Sequence, residues 1–317
     1  MKPLILKEND TIGIVAPSSP FIGNIELEKN YKRGLEEICK MGFRYKEGKT
    51  VRLKKWHFSG SDKERADDLM RMFKDKEIKA IICAIGGAGA NRILNLLDYG
   101  IIKNNPKPFM GISDPTVLTS ALFQLSKIPT IYGPDICFGF GGGKSKIKKD
   151  WELMMIKKIL TTNDGLGQIT PLTKWKTIKK GIGRGLLLGG HLNSYKGLLG
   201  TRYFADIKNK QKILFWETTG SYLLMDEDLT NLRNSGFFKN VSGMIIGKFS
   251  IMDNDAENKE VKKHLYDLIL DLFKDYDFPI LTDLDFGHLT PNIPLPYGKM
   301  AEVDGNNTFL KILEGIF

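Results

Sequence analysis

Three side chains of this 317-residue chain have the types and settings that acyl-transfer chemistry needs: Ser113, Glu217 and His288. Ser113 stands in FMGISDPTVL, where an apolar run ends in Gly111-Ile112-Ser113-Asp114 and Pro115 opens a helical segment. A serine at the tip of a strand-to-helix turn projects its hydroxyl out of the sheet. The backbone N–H of the next residue then points at whatever the hydroxyl attacks. Gly111 permits the tight turn, and Pro115 suits a first helical turn, where a missing N–H costs nothing. The same Ser-Asp-Pro is also an ordinary N-terminal helix cap, so the segment alone leaves both readings open.

A nucleophilic serine needs a base, a group to orient that base and an oxyanion site. The chain has four histidines. His57, in a polar loop, and His264, on the solvent face of a helix, read as structural. His191 follows a Gly-Gly turn in GGHLNS and stands near a possible site. His288 is the strongest candidate base, because DFGHLTPNIPLPYG carries Gly287, Pro291, Pro294 and Pro296 and must be a rigid irregular loop. Glu217 follows the apolar run Ile213-Leu214-Phe215-Trp216, which places a carboxylate at the carboxyl end of a buried strand, facing the crevice where α/β proteins bind ligands. Such a carboxylate needs a partner; a histidine and a helix lysine both qualify. Gly86-Gly87-Ala88-Gly89 lacks the Walker lysine and does not read GxGxxG. As a donor of a second N–H to an oxyanion beside Ser113 it is chemically sensible.

The elements that must hold these groups alternate. Strands are expected at Thr11–Ala16, Ile78–Ile85, Pro108–Ile112 and Pro129–Tyr132, with helices at Glu26–Met41, Lys63–Phe73, Ala90–Leu97 and Thr116–Leu125 between them. This alternation predicts an α/β fold with a parallel, helix-covered sheet. Residues 144–180 change texture, with lysines and polar turns after a glycine run, and read as a linker or lid. The expected organisation is residues 1–143 carrying the serine, 144–180 as linker, and 181–317 carrying the glutamate and histidine. The second half has strands at Gly185–Leu188, Lys212–Trp216 and Gly243–Gly247, a long helix at Lys259–Phe273, and a closing hairpin around Asp304-Gly305-Asn306-Asn307.

Composition narrows the function. The net charge is +10, yet only 9 of the 47 basic residues are arginine and the excess is dispersed without an aromatic platform, which argues against a nucleic-acid partner. Cys39, Cys83 and Cys137 have neither metal nor disulfide spacing. The apolar stretch in MKPLILKEND is too short for a signal peptide and no run approaches a membrane span, so a cytoplasmic location is expected.

Taken together, GIVAPSSP, GSDKERADDL, AIGGAGANRIL, FMGISDPTVLTSAL, the Gly-Gly turn before His191, LLGT, LFWET and DFGHLTPNIPLPYG resemble, in order, the motifs of the LD-carboxypeptidases and their relatives, the microcin C immunity peptidases. The resemblance runs from about residue 10 to the C-terminus. It implies two α/β domains with the active site in the cleft between them, a homodimer, and no metal or cofactor. It also implies Ser113 as nucleophile, His288 as base, Glu217 as its orienter, and the N–H groups of Gly87 and Asp114 as oxyanion donors. Two motifs depart from the family: its Gly-Tyr-Ser-Asp is Gly-Ile-Ser-Asp here, and its Gly-Gly-Asn-Leu is Gly-Gly-His-Leu, which places His191 near the substrate cleft. The implied activity is hydrolysis of the C-terminal amide of a short peptide, first an L,D bond of a murein peptide, second an aminoacyl-nucleotide antibiotic. A non-catalytic small-ligand binding protein and a phosphate-binding module are the alternatives from other classes. A carboxypeptidase must also hold a terminal carboxylate, for which arginine is the better cation. Arg92, Arg184 and Arg202 are the expected candidates, against a null in which the Gly-loop N–H groups act alone.

Overall fold

The computed structural model describes residues 5–219, 221–249 and 259–317; residues 1–4 of the N-terminal stretch and Gly220 after the glutamate motif lie outside it. Four short apolar runs and one polar edge strand form a parallel sheet: β1 (Thr11–Val15), β2 (Arg44–Glu47, the polar edge), β3 (Ile78–Cys83), β4 (Phe109–Gly111) and β5 (Thr130–Tyr132), in the order β5-β4-β3-β1-β2. β3 and β4 are almost wholly buried, as strands covered by helices on both faces must be. The helix Ile25–Lys40 shows how the covering works. Asn24 caps it by accepting the Leu27 N–H, acidic residues fill its first turn, and Tyr31, Leu35 and Ile38 turn one face into the core.

The second sheet has eight strands: β6 (Asp164–Gln168), β7 (Lys176–Lys179), β8 (Ile182–His191), β9 (Lys212–Glu217), β10 (Val241–Gly247), β11 (Ile280–Leu284), and, after β12 (Leu295–Pro296), the hairpin β13 (Met300–Asp304) and β14 (Phe309–Glu314). Its order is β6-β14-β13-β8-β9-β10-β11-β7, with a parallel centre from β8 to β11 and antiparallel flanks. The chain is therefore a two-domain α/β protein.

Two features differ from the sequence expectation. Residues 144–180, expected as a linker or lid with a helix around Trp151–Leu160, hold more regular structure than that. They supply the helix Lys146–Thr161 and both edge strands, β6 and β7, of the second sheet. Edge strands are partly exposed and polar, so they lack the buried apolar run that marks a central strand. Second, β12 leaves its own domain and pairs antiparallel with β5 of the first sheet. A two-residue Leu-Pro strand has no periodicity to read. Its consequence is mechanical: the loop that carries His288 is tied to both domains.

Candidate active site

The groups singled out above, joined by Tyr132, lie on one side of the sheets because each stands at or just after the carboxyl end of a parallel strand. The loop 86–89 follows β3, Ser113 follows β4, and Tyr132 ends β5; His191 ends β8, Glu217 ends β9, and His288 follows β11. In open α/β sheets that is the side on which ligands bind. A cavity of about 530 Å³ lies there, lined from both domains by Gly86, Gly87, Ser113, Asp135, Gly287 and His288 among others.

Ser113 has φ 67°, a left-handed conformation that L residues adopt only under local constraint. Its turn is pinned from several sides. The Thr116 N–H returns to the Ser113 carbonyl at 2.9 Å. The Asp114 carboxylate accepts the Ser18 hydroxyl at 2.6 Å and the Ala90 N–H at 2.8 Å, which fastens the turn to two neighbouring loops. Gly87 has φ 115°, and a Cβ there would come within 2.2 Å of Ser19 Oγ, so only glycine lets the loop pass Ser19; at Gly86 a Cβ would lie 2.9 Å from Ser113 Cβ. Arg65, fully buried, fixes the same loop by donating to the carbonyls of Pro17 and Gly89 and pairing with Asp62 at 2.6 Å. Among the described residues neither the Gly87 nor the Asp114 N–H has an acceptor. Unpaired N–H groups beside a hydroxyl are the type of donor that an oxyanion requires.

Glu217 ends a strand of which all six residues are buried, and its side chain is inaccessible to solvent. Its Oε2 lies 2.8 Å from His288 Nδ1. Its Oε1 accepts the Tyr132 hydroxyl at 2.5 Å. Gly287 permits this approach: its φ is 105°, and a Cβ would sit 2.8 Å from Glu217 Cγ. Burial alone would push the Glu217 carboxyl up, but the bonds and charge of His288, with His191 and Tyr132, outweigh it and hold it below the usual carboxylate range. His288 shows the converse balance. Burial opposes its cation, yet the Glu217 bond and charge, then the Asp135 charge, raise it above the usual histidine range. With Nδ1 committed to Glu217, Nε2 is the ring nitrogen not used in that bond.

Tyr132 and Asp135 were not singled out in the sequence. Their signal was positional, since both follow the strand next to the serine strand in YGPDICF. The Asp135 carboxylate accepts from the N–H groups of Phe138 and Gly139 at 2.7 and 3.3 Å. Burial pushes its pKa up to about 6, against those two N–H groups, the His288 charge and the Gly86 N–H. Above that pH it is an anion near His288 and stabilises the imidazolium. Asp135→Asn is expected to move the acid limb of the kcat/KM profile to lower pH, because the base then loses its proton more easily. An unshifted or raised limb would remove Asp135 from the electrostatics of the base.

Four of the expected substrate contacts do not line the cavity. His191 stands beside Glu217 in the β8–β9 register, its Nδ1 3.0 Å from Ser194 Oγ and its Nε2 3.3 Å from Thr219 Oγ1. Its ring packs edge-on against His288 at 5.5 Å, and burial, partly offset by Glu217, lowers its pKa. Its contacts are with Ser194, Thr219 and the His288 ring. Arg92 pairs with Asp62 at 2.9 Å and lies over Phe58. Arg184, near the start of β8, pairs with Glu302 of the neighbouring β13 at the surface. Arg202 lies over Tyr203 and Tyr99 at 5.1 and 5.9 Å. Each arginine is satisfied at the periphery by an acid or a ring, which one-dimensional proximity to a glycine turn does not reveal. Methionine at each of the three is expected to keep kcat/KM on a free-carboxylate peptide within about threefold of the parent. A loss of about tenfold at any of them would restore the arginine reading.

The comparisons with known proteins follow this geometry. The model of the LD-carboxypeptidase N-terminal domain matches residues 12–133, and that of the LD-carboxypeptidase C-terminal domain matches residues 184–303. The chain belongs to the LD-carboxypeptidase family. It is a serine-type carboxypeptidase, an LD-carboxypeptidase-like hydrolase. It is 29% identical to the probable murein peptide carboxypeptidase of Bacillus subtilis (strain 168), over 96% of this chain and 91% of that one. It is 26% identical to the microcin C7 self-immunity protein MccF of Escherichia coli, over 98% and 94%. A solved structure of MccF in complex with glutamyl sulfamoyl guanosine superposes with a TM-score of 0.89 at 25% identity, covering 100% of this chain and 99% of that one. Among the described residues no group of His, Cys, Asp and Glu is placed to hold a metal ion, and no helix is long and apolar enough to cross a membrane.

Proposed function

We propose that this family member removes the C-terminal residue of a murein peptide by cleaving an L,D amide bond, with Ser113 as nucleophile, His288 as base and Glu217 as the group that orients it. The observation that carries the reading is the convergence on one cavity of a strained serine turn, two unpaired N–H groups and a buried Glu217–His288 pair 2.8 Å apart. Ser113 Oγ attacks the scissile carbonyl as Nε2 of His288 takes its proton. The oxyanion develops toward the N–H groups of Gly87 and Asp114. Collapse expels the terminal residue as an amine, which receives the proton back from His288. Water, deprotonated by the same histidine, then hydrolyses the acyl-serine and regenerates the hydroxyl. Glu217 holds Nδ1–H throughout, so that Nε2 starts as an acceptor, and stabilises the cation that forms.

A second substrate class, an aminoacyl nucleotide of the microcin C kind, is favoured by one observation. Phe138 lines the cavity with 55% of its surface exposed and offers an aromatic face to a nucleobase. Mass spectrometry of a murein tetrapeptide and an aminoacyl-sulfamoyl adenylate, each incubated with the protein, separates the two. Release of the terminal amino acid from the tetrapeptide supports the first reading. Turnover of the adenylate alone replaces it, and turnover of neither leaves a ligand-binding relative. The proposal places this chemistry in the cytoplasm, in a homodimer.

A further inference from the structure

One ion pair on the cavity wall has no part in the chemistry above. Lys144 and Glu152 line the same cavity as Ser113 and His288. Their side chains are 2% and 1% exposed, and the Lys144 ammonium bonds Oε2 of Glu152. The other oxygen, Oε1, has no hydrogen-bond partner among the described residues. Among the described residues that line the cavity, Lys144 is the sole lysine or arginine. Burying both charges is costly, and one bond leaves half of the carboxylate unsatisfied. A pair placed only for stability would be better replaced by apolar side chains. On the wall of a cavity it has another use. An ammonium has three donors, and the bond to Glu152 occupies one. The others are available to an anion that enters the cavity.

We propose that Lys144 binds the terminal carboxylate of the substrate, with Glu152 as the counter-ion that keeps the ammonium in place while the cavity is empty. The proposal deepens the carboxypeptidase reading and rests on it. It also accounts for the three arginines that the structure leaves at the periphery. The recognising cation sits in residues 144–180, the segment whose texture departs from the rest of the chain, so carboxylate recognition is separated in sequence from the catalytic groups.

Calorimetry on the Ser113→Ala protein, which binds without turnover, reads this directly. The probes are a murein tetrapeptide with a free C-terminus and the same peptide as its C-terminal carboxamide. The acid is expected to bind at least about tenfold more tightly than the amide. Adding Lys144→Met should weaken the acid about 10- to 100-fold, to the level of the amide, and leave the amide unchanged. Glu152→Gln, which keeps the ammonium and removes its competitor, should bind the acid at least as tightly as the parent. The idea is overturned if acid and amide bind the parent alike, if the acid does not bind, if Lys144→Met weakens both equally, or if Glu152→Gln loses the acid. Should Lys144→Met not fold, the acid-to-amide ratio of the parent and the Glu152→Gln result decide. Wild-type turnover of the tetrapeptide is scored separately: its absence refutes the substrate reading, whereas loss of acid discrimination refutes only the role of Lys144.

Discussion

Alanine at Ser113 is expected to lower kcat by on the order of 10³-fold or more while the protein stays folded. In the proposed mechanism the Ser113 hydroxyl is the attacking atom. Binding and the oxyanion site would remain, so KM should change far less than kcat. The strained backbone adds an independent check. Ser113 has φ 67°, where a Cβ costs about 1 kcal/mol that glycine does not incur. Ser113→Gly should therefore be as inactive as Ser113→Ala but more stable to denaturant by about 1 kcal/mol. A Ser113→Ala protein that keeps more than about a tenth of the parent kcat would take the serine out of the mechanism. A glycine variant less stable than the alanine one would mean that the left-handed turn is not strained.

The same turn shows what the sequence could and could not reveal. Glycine, serine and proline fix a strand-to-helix turn by their own stereochemistry, so its existence is local information. The pairing of Glu217 with His288 is not local, yet it was legible. Each sits where a buried strand meets irregular chain, and β-sheet topology brings such ends to one side. The edge strands β6 and β7 and the crossing strand β12 were hidden for the opposite reason. Their pairing is decided by partners distant in sequence, and their residues carry no buried run or period. The surroundings of Arg92, Arg184 and Arg202 were hidden by the same logic. A nearby glycine motif does not say which way a long side chain turns, and an acid or a ring at the surface claimed each one. In the sequence Lys144 belongs to the densest run of lysines, 144–149, with no feature of its own. Only burial against Glu152 distinguishes it from the solvated lysines around it.

Glutamine at Glu217 should be nearly as damaging as the loss of the serine, with kcat falling about 10²- to 10⁴-fold, and the reason lies in Tyr132. The Tyr132 hydroxyl lies 2.5 Å from Oε1 of Glu217, and because a carboxylate can only accept, the hydroxyl proton is directed to that oxygen. A carboxylate satisfies this donor and the Nδ1–H of His288 at once. An amide has only one oxygen. Tyr132 claims that oxygen, which turns the NH₂ group toward Nδ1 of His288. Nδ1 must then be the acceptor, Nε2 carries the proton, and the ring faces Ser113 with no lone pair to receive the hydroxyl hydrogen. The loss is thus a tautomer effect imposed by a neighbour, and it has a distinctive remedy. Removing the hydroxyl in Tyr132→Phe frees the amide to rotate and present its oxygen to Nδ1–H. The double variant Tyr132→Phe/Glu217→Gln should therefore be more active than Glu217→Gln alone, although Tyr132→Phe by itself lowers activity. Such reversed non-additivity is read from a double-mutant cycle on kcat. If the double variant is instead weaker than Glu217→Gln by the full factor of the Tyr132→Phe change, Tyr132 does not set the orientation. Glu217 would then act on His288 through charge alone.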